Sequence, residues 1–380
     1  MKTPPPETGA LPPHVAFFLA TSGHSGVDRV MTNLIHEFSR RGIQVDLLQI
    51  DNHGPYLDTV PANVRPIKLG TAHVNTSLPP LVRYLKHARP QALLCDKDKV
   101  NRLALWARRL AGGSTRVAVR IGTTVSTNLR QRRPINRWSQ KLSMRLFYRW
   151  ADAVIVPSQG AAEDLSHITG LPAARIHAVP SPVITPQLSR LADEPVSHPW
   201  FDAPDIPVIL GVGELSARKD FATLIRAFAK VRKARPVRLL ILGEGRTRPA
   251  LQALIDQLGL QEDVAMPGFS ANPYPYFKNA AVFALSSICE GAPVVLMEAL
   301  AIGTPACATD CPSGPREILD NGRYGALAPV GDDTALADGL LAMLDHPPAQ
   351  SLLRHAAQRY TVGHSADHYL RALGLECSAT

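Results

Sequence analysis

Ser286-Ser287-Ile288-Cys289-Glu290-Gly291-Ala292-Pro293-Val294-Val295-Leu296-Met297-Glu298-Ala299-Leu300 lies between two short apolar runs, 281–285 and 305–308. The first run predicts a strand, the quoted stretch a loop and a helix over 293–301, and the second run another strand. Pro293 suits the first turn of a helix, where its missing N–H has no partner to lose. Strand, loop, helix, strand is the repeating unit of a parallel sheet with right-handed crossovers. Glu290 falls in the loop and Glu298 in the helix, eight positions on, both among apolar neighbours. Two carboxylates in such surroundings are costly unless they bind something. Sugar and ribose hydroxyls are natural donors to them. The plainer alternative is one carboxylate at a helix start and one buried, satisfied acid.

The same alternation extends to both sides. Residues 208–212 and 237–242 read as strands, and 221–234 and 249–258 as helices. In the first half, 14–20 reads as a strand. The helix at 27–40 follows, with Val27, Val30, Met31, Leu34, Ile35 and Phe38 on one face and Gly42 as its stop. Further strands are expected at 43–50, 64–69, 92–95, 117–121, 153–156 and 176–179. The pattern lapses over 181–207, where Pro182, Pro186, Pro195, Pro199, Pro204 and Pro207 recur. The expectation is an α/β protein of two doubly wound Rossmann-like domains facing across a cleft, residues 1–184 and 207–358. Residues 185–206 form the linker and 359–380 a closing helical segment.

Three strand-to-helix loops carry the residues that chemistry needs. A helix N-terminus offers unpaired N–H groups and the positive end of a dipole, which suits anions. Thr21-Ser22-Gly23-His24-Ser25-Gly26 opens the first helix, and its glycines permit close approach of a phosphate. It is not GxGxxG, which weakens a nicotinamide reading even though Asp51 lies at a suitable distance. Gly211-Val212-Gly213-Glu214-Leu215-Ser216-Ala217-Arg218-Lys219-Asp220 precedes the helix at Phe221. Adjacent cations there suit a diphosphate, Arg218 as a fork and Lys219 as a point charge, and a solvated basic turn is the alternative. The stretch quoted first is the third loop.

Bulk properties narrow the function classes. With 45% hydrophobic and 19% charged residues in 380, the chain is neither disordered nor too small for two cores. No apolar run approaches the roughly 18–20 residues that span a bilayer. The run at 14–20 is too short for a signal sequence, so a cytoplasmic protein is expected. Five cysteines, Cys95, Cys289, Cys307, Cys311 and Cys377, without a CxxC pair fit a reducing compartment and argue against structural zinc. Cys307 and Cys311 lack the second pair a metal site needs. The net charge of +9 is uneven: between residues 81 and 150 Asp96 and Asp98 are the only acids among many Lys and Arg. Such a block implies an anionic partner, whether phospholipid, phosphorylated acceptor or nucleic acid, and charge alone does not choose. Within it Arg137, Lys141, Arg145 and Arg149 recur every four residues, while Ile135, Trp138, Leu142, Leu146 and Trp150 run along another face. This is either the solvated basic side of a domain helix or a surface for anionic lipid and lipid-linked phosphate.

From residue 281 to 329 the chain resembles the donor domain of glycosyltransferase family four, of GT-B fold. The resemblance rests on the E-x7-E pair Glu290 and Glu298 in its S..EG.P.V..EA.A.GTP frame. Asp310-Cys311-Pro312-Ser313-Gly314-Pro315-Arg316, Asn321-Gly322-Arg323-Tyr324-Gly325, Arg218-Lys219 and Ser25-Gly26-Val27-Asp28-Arg29 extend it through almost the whole chain. It implies a retaining, metal-independent glycosyltransferase of the cell-surface polysaccharide and lipopolysaccharide type. The donor is a nucleotide sugar, UDP-linked before GDP-linked, with no cofactor and no metal. The acceptor is a glycan or a lipid-linked glycan, at the inner face of the cytoplasmic membrane. Lys219 and Arg218 then neutralise the diphosphate, Glu298 accepts from the ribose, and Glu290 with the backbone after Gly291 holds the sugar or its phosphate. Gly213 and Gly26 make room for the diphosphate, and Pro267-Gly268-Phe269 borders the base. In such proteins the last helix crosses back onto the first domain.

Two departures stand out. Glu214 occupies a position where the family often has Arg, so a phosphate contact is lost unless Arg218 supplies it. Where the family often has an acceptor-side His, this sequence has Arg120-Ile121-Gly122-Thr123-Thr124. Arg120, Thr123 and Thr124, with His24, are the candidates for the sugar side. The departures keep open a non-catalytic sugar-nucleotide-binding subunit. A sugar-nucleotide epimerase or a phosphorylase of similar architecture also stays open, as does a basic nucleic-acid-binding protein, although no motif of that class is present.

Overall fold

The computed structural model describes residues 12–23, 25–130, 133–202 and 205–375. Its elements begin β1 His14–Phe18, α1 Gly26–Arg40, β2 Gln44–Gln49, β3 Val64–Lys68, α2 Leu78–Ala88, β4 Ala92–Asp96 and α3 Asp98–Ala111. They continue with β5 Arg116–Arg120, α4 Val125–Arg130, α5 Pro134–Phe147, β6 Ala153–Val156, α6 Gln159–Thr169, β7 Ile176–Ala178 and α7 Leu188–Ala192. Next come β8 Val208–Val212, α8 Phe221–Ala234, β9 Arg238–Leu242, α9 Arg248–Gln257, β10 Val264–Gly268, α10 Tyr274–Asn279, β11 Val282–Leu285 and α11 Val294–Ile302. β12 Ala306–Thr309, α12 Pro315–Ile318, β13 Ala326–Ala328, α13 Asp333–Asp345, α14 Gln350–Ala357 and α15 Val362–Leu373 complete them.

The strands form two sheets, ordered β3-β2-β1-β4-β5-β6-β7 and β10-β9-β8-β11-β12-β13. Both repeat the doubly wound order in which the chain moves outward from a central strand, returns, and moves out the other way. This is the expected fold class, two Rossmann-like α/β sheets. The strands are parallel in register, Val15 opposite Val45 and Ala92 in the first sheet, Ile209 opposite Leu239 and Val282 in the second. Helices cover both faces, so central strands such as Val15–Phe18 and Leu239–Ile241 are wholly buried and read as unbroken apolar runs.

By compactness the chain divides into two units. One holds the described residues up to Ile121, Leu146–Ile155 and those from Ala366 on, and the other holds Gly122–Arg145 and Val156–Ser365. In the first, Phe17 meets Phe38 edge to face at 5.8 Å, and Arg41 pairs with Asp367 of α15 at 2.5 Å. In the second, the amphipathic face of α8 (Leu224, Ile225, Phe228, Val231) packs on Ile209, Leu239 and Ile241.

Three features were not foreseen. β10 contains Pro267, and the sequence reading leaves that stretch without a strand. It is an edge strand, where a residue without an N–H is tolerated. The other edge, β13, is three residues of Ala-Leu-Ala, too short and weakly β-forming to signal itself. The proline-rich segment at 181–207 also contains α7, which buries Leu188 and Ala192.

Candidate functional site

In the second sheet the strand order reverses between β8 and β11, and ligands of doubly wound sheets bind at the carboxyl ends of such a pair. The loop after β8 carries Gly213 to Asp220, and the loop after β11 carries Ser286 to Pro293. Backbone and side chain tie the loops together: Ile288 N donates to the Arg218 carbonyl at 2.9 Å, and Ser286 Oγ to the Lys219 carbonyl at 2.8 Å. Gly213 leaves space for the lysine stem, since a Cβ there would approach Lys219 Cε at 3.1 Å.

Glu290 sits at the centre. Lys219 Nζ donates to Oε1 at 2.7 Å, Ser287 Oγ to the same oxygen at 2.8 Å, and Arg218 Nη1 to Oε2 at 3.0 Å. Both Lys219 and Glu290 are buried. Burial alone would push the Glu290 carboxyl up, but the charges of Lys219 and Arg218 outweigh it and hold the group below the ordinary carboxylate value. Two cations against one carboxylate leave this cluster net positive. Eight positions on, Glu298 lies on α11, fully buried, with Tyr274 Oη donating to its Oε1 at 3.1 Å. The N-terminus of α11 has no side-chain cap. That of α8 already has one, because Asp220 accepts from the Thr223 N–H at 3.4 Å.

The Glu290-Gly291 peptide is clamped within its own unit. The hydroxyls of Thr124 and Ser313 reach the Glu290 carbonyl at 3.0 and 2.9 Å, and Ser158 Oγ donates to the Gly291 carbonyl at 3.0 Å. Gly291 is required by close approach, since a Cβ there would lie 2.4 Å from the Gly122 carbonyl oxygen. The arrangement offers an anion two cations and an open helix end, and offers hydroxyl groups two buried carboxylates.

The sequence candidates therefore separate. Arg218, Lys219, Gly213, Glu290 and Gly291 converge, Thr124 joins them through the Glu290 carbonyl, and Glu298 lies apart from their hydrogen bonds on α11, where Tyr274 donates to it. Phe269 follows β10 and is exposed, as is Glu214 on the loop after β8. Gly26 is the first residue of α1, whose N-terminus is already closed by a capping box of Ser25 and the buried Asp28. Arg120 departs from its expected sugar-side role. Its buried guanidinium pairs with Asp96 at 3.3 Å and donates from Nε to Tyr369 Oη at 2.9 Å, so it serves the interior of the first unit. Thr123 is exposed and accepts from Asn128 Nδ2 at 2.7 Å. His24 lies outside the described residues. Among the described residues no group of His, Cys, Asp and Glu is placed to hold a metal. The thiols of Cys307 and Cys311 are both pushed up to about 12 by burial. Ser287, Tyr274, Ser158 and Ser313 were not singled out by sequence reasoning. Ser313 had a signal in the Ser-Gly-Pro turn, and Ser287 in the S..EG frame around Glu290.

Comparison with known proteins gives the family and the fold. Residues 199–360 match the model of glycosyl transferases group 1, and residues 24–187 that of glycosyltransferase family 4. The chain is 31% identical over 261 residues to the N-acetylgalactosamine-N,N'-diacetylbacillosaminyl-diphospho-undecaprenol 4-alpha-N-acetylgalactosaminyltransferase of Campylobacter jejuni, covering 69% of each chain. It is 25% identical to the lipopolysaccharide core biosynthesis glycosyltransferase LpsE of Rhizobium meliloti, covering 87% of each. Anabaena HepE in complex with UDP superposes with a TM-score of 0.76 at 18% identity, over 95% of this chain and 99% of that one. That likeness establishes the GT-B fold.

Proposed function

Because the chain belongs to the family 4 glycosyltransferases, with a group 1 glycosyltransferase domain in its second half, we propose that it moves a sugar from a nucleoside-diphosphate donor to a lipid-linked or glycan acceptor. The pathway in this reading is cell-surface polysaccharide or lipopolysaccharide synthesis, as for the LpsE relative. The observation that carries it is the Lys219–Glu290–Arg218 cluster at the reversal point of the second sheet. A diphosphate entering there takes the place of the Glu290 carboxylate before the two cations. UDP is favoured as the nucleotide, in line with the UDP bound to HepE.

In the reaction the bond from the anomeric carbon to the diphosphate oxygen breaks, and negative charge grows on the phosphate. Lys219, Arg218 and the α11 N-terminus stabilise that charge, the role a divalent metal fills elsewhere. Glu298 accepts from the ribose hydroxyls. Glu290, released from its cations, accepts from the sugar. The acceptor oxygen bonds to the anomeric carbon on the face the diphosphate leaves and passes its proton to the departing phosphate, so one C–O bond forms as the other breaks and configuration is retained. Lys219→Ala is expected to lower turnover by about 10²–10³, the range for one lost oxyanion contact. Transfer near the wild-type rate would rule out this assignment.

The same reading places the protein peripherally on the inner face of the cytoplasmic membrane. Among the described residues no helix is long and apolar enough to cross a membrane. Support comes from α5, which buries only Met144 and leaves Ile135 75% and Trp138 66% exposed beside Lys141 and Arg145. The C. jejuni relative is named for a diphospho-undecaprenol-linked sugar acceptor.

A further inference from the structure

A cavity of about 390 Å³ opens between α4, α5 and α6, built from the second unit alone. Its size falls within the range of small-ligand sites. Trp138, Lys141, Leu142 and Arg145 line it from α5, and Asp164 and His167 from α6. None of these residues belongs to the Glu290 cluster.

Each lining group has a definite chemistry to offer. Arg145 Nε donates to the Ile168 carbonyl at 2.9 Å, which anchors the guanidinium against α6 at the cavity wall. Lys141 is exposed and makes no ion pair among the described residues. Together they present two positive charges, a fork and a point, the pairing that suits a phosphate. Asp164 Oδ2 accepts from the Ser126 N–H at 3.0 Å. A carboxylate beside two cations makes little sense for a bare anion, but it accepts from hydroxyls of a ligand that carries both. His167 has its ring Nδ1 2.8 Å from the Glu163 carbonyl, which fixes Nδ1 as the donor and leaves Nε2 for the cavity. The exposed Trp138 ring supplies a flat apolar face of the kind on which a sugar ring packs. From the cavity, Leu142, Trp138 and Ile135 continue as an exposed apolar stripe at helical spacing.

The geometry points to a subsite for the head of an acceptor that is a glycosyl phosphate esterified to an apolar chain. Lys141 and Arg145 hold the phosphate, Trp138 and Asp164 the sugar, and the stripe the first part of the chain. This rests on the lipid-linked acceptor reading above and adds the residues that recognise it.

Octyl α-D-glucosyl phosphate, used below its micelle concentration, is the probe. Octyl glucoside, octyl phosphate and inorganic phosphate are the comparators, and binding is followed calorimetrically. Wild-type protein is expected to bind the probe at least tenfold more tightly than any comparator. Lys141→Ala, Trp138→Ala and Arg145→Gln should each weaken it at least tenfold, and Gln keeps an amide donor for the Ile168 carbonyl. Asp164→Asn should lose the preference for the probe over octyl phosphate. Unchanged affinity in Lys141→Ala and Trp138→Ala overturns the inference. Inorganic phosphate bound as tightly as the probe identifies a free-anion site and also overturns it. The UDP-induced rise in unfolding temperature serves as the control. Its persistence in Lys141→Ala shows that the protein is folded and that the donor reading stands whichever way the subsite falls.

Discussion

Replacing Glu290 by Gln keeps its shape and removes its charge, which separates its part in stability from its part in binding. In the wild type its pKa is depressed by Lys219 and Arg218. A depressed carboxylate contributes stability above its ordinary value and loses it as pH falls through the lower folded value. The wild type is therefore expected to lose stability on acidification below the ordinary value of 4.5. Glu290→Gln should decline less steeply there, yet be less stable at pH 7 by about 3 kcal/mol, because a buried lysine loses its counter-charge. Denaturant unfolding of both proteins from pH 3 to 7 checks this, and parallel declines would remove Glu290 from the acid response. Lys219, Arg218, Glu290 and Glu298 were legible in the sequence because charged residues in apolar loops at fixed spacing ask for a partner. Tyr274 and Ser158 were not, since a hydroxyl is unremarkable until folding brings a carbonyl or carboxylate to it. Arg120 was misread for a related reason. Its partner Asp96 lies opposite it in the β4–β5 register, which appears only once the strands pair.

α5 shows what a periodic pattern contains and what it leaves out. The sequence gives the helix, its basic row and its apolar row, but a row of apolar residues reads the same whether it faces a core or a membrane. The structure exposes Ile135, Trp138, Leu142 and Leu146, and the last residue of α5, Phe147, joins Trp106 and Trp150 in an aromatic cluster with centroids 5.1–5.8 Å apart. Arg109 lies over the Trp150 ring at 4.3 Å. Apolar residues beside cations are the composition of an interfacial helix. A basic residue near an anionic leaflet contributes about 1 kcal/mol, so three together give about 3 kcal/mol, a partition change of more than about a hundredfold. Arg137→Gln/Lys141→Gln/Arg145→Gln protein is accordingly expected to stop pelleting with vesicles rich in phosphatidylglycerol, and wild-type pelleting should fall as salt rises. Equal pelleting of both proteins would return the basic row to an ordinary solvated face. The edge strands β10 and β13 escaped the same pattern reading, because a proline in one and a length of three residues in the other leave no period to detect.

Across the whole chain, one strand order used twice explains why the fold class could be read from a single stretch. The segment from β11 to β12 is one crossover unit of that order, and the carboxyl ends of β8 and β11 are where doubly wound sheets bind ligands. The reading can be tested on the intact protein with UDP, GDP, ADP, NAD and a short single-stranded DNA. A ligand that binds only the folded state at 100 times its dissociation constant stabilises it by about 2.7 kcal/mol. For a unit of this size that is a rise of about 5–10 °C in the unfolding midpoint. If the two compact units unfold separately, only the transition of the unit holding Gly122–Arg145 and Val156–Ser365 should move, since every convergent donor-site residue lies in it. One nucleoside diphosphate should produce the rise, UDP first, and Lys219→Ala and Glu298→Ala should each abolish it while leaving the other transition where it was. A rise with DNA and none with any nucleotide would make the basic surface the functional site. The Glu290 cluster would then be a structural ion pair and nothing more.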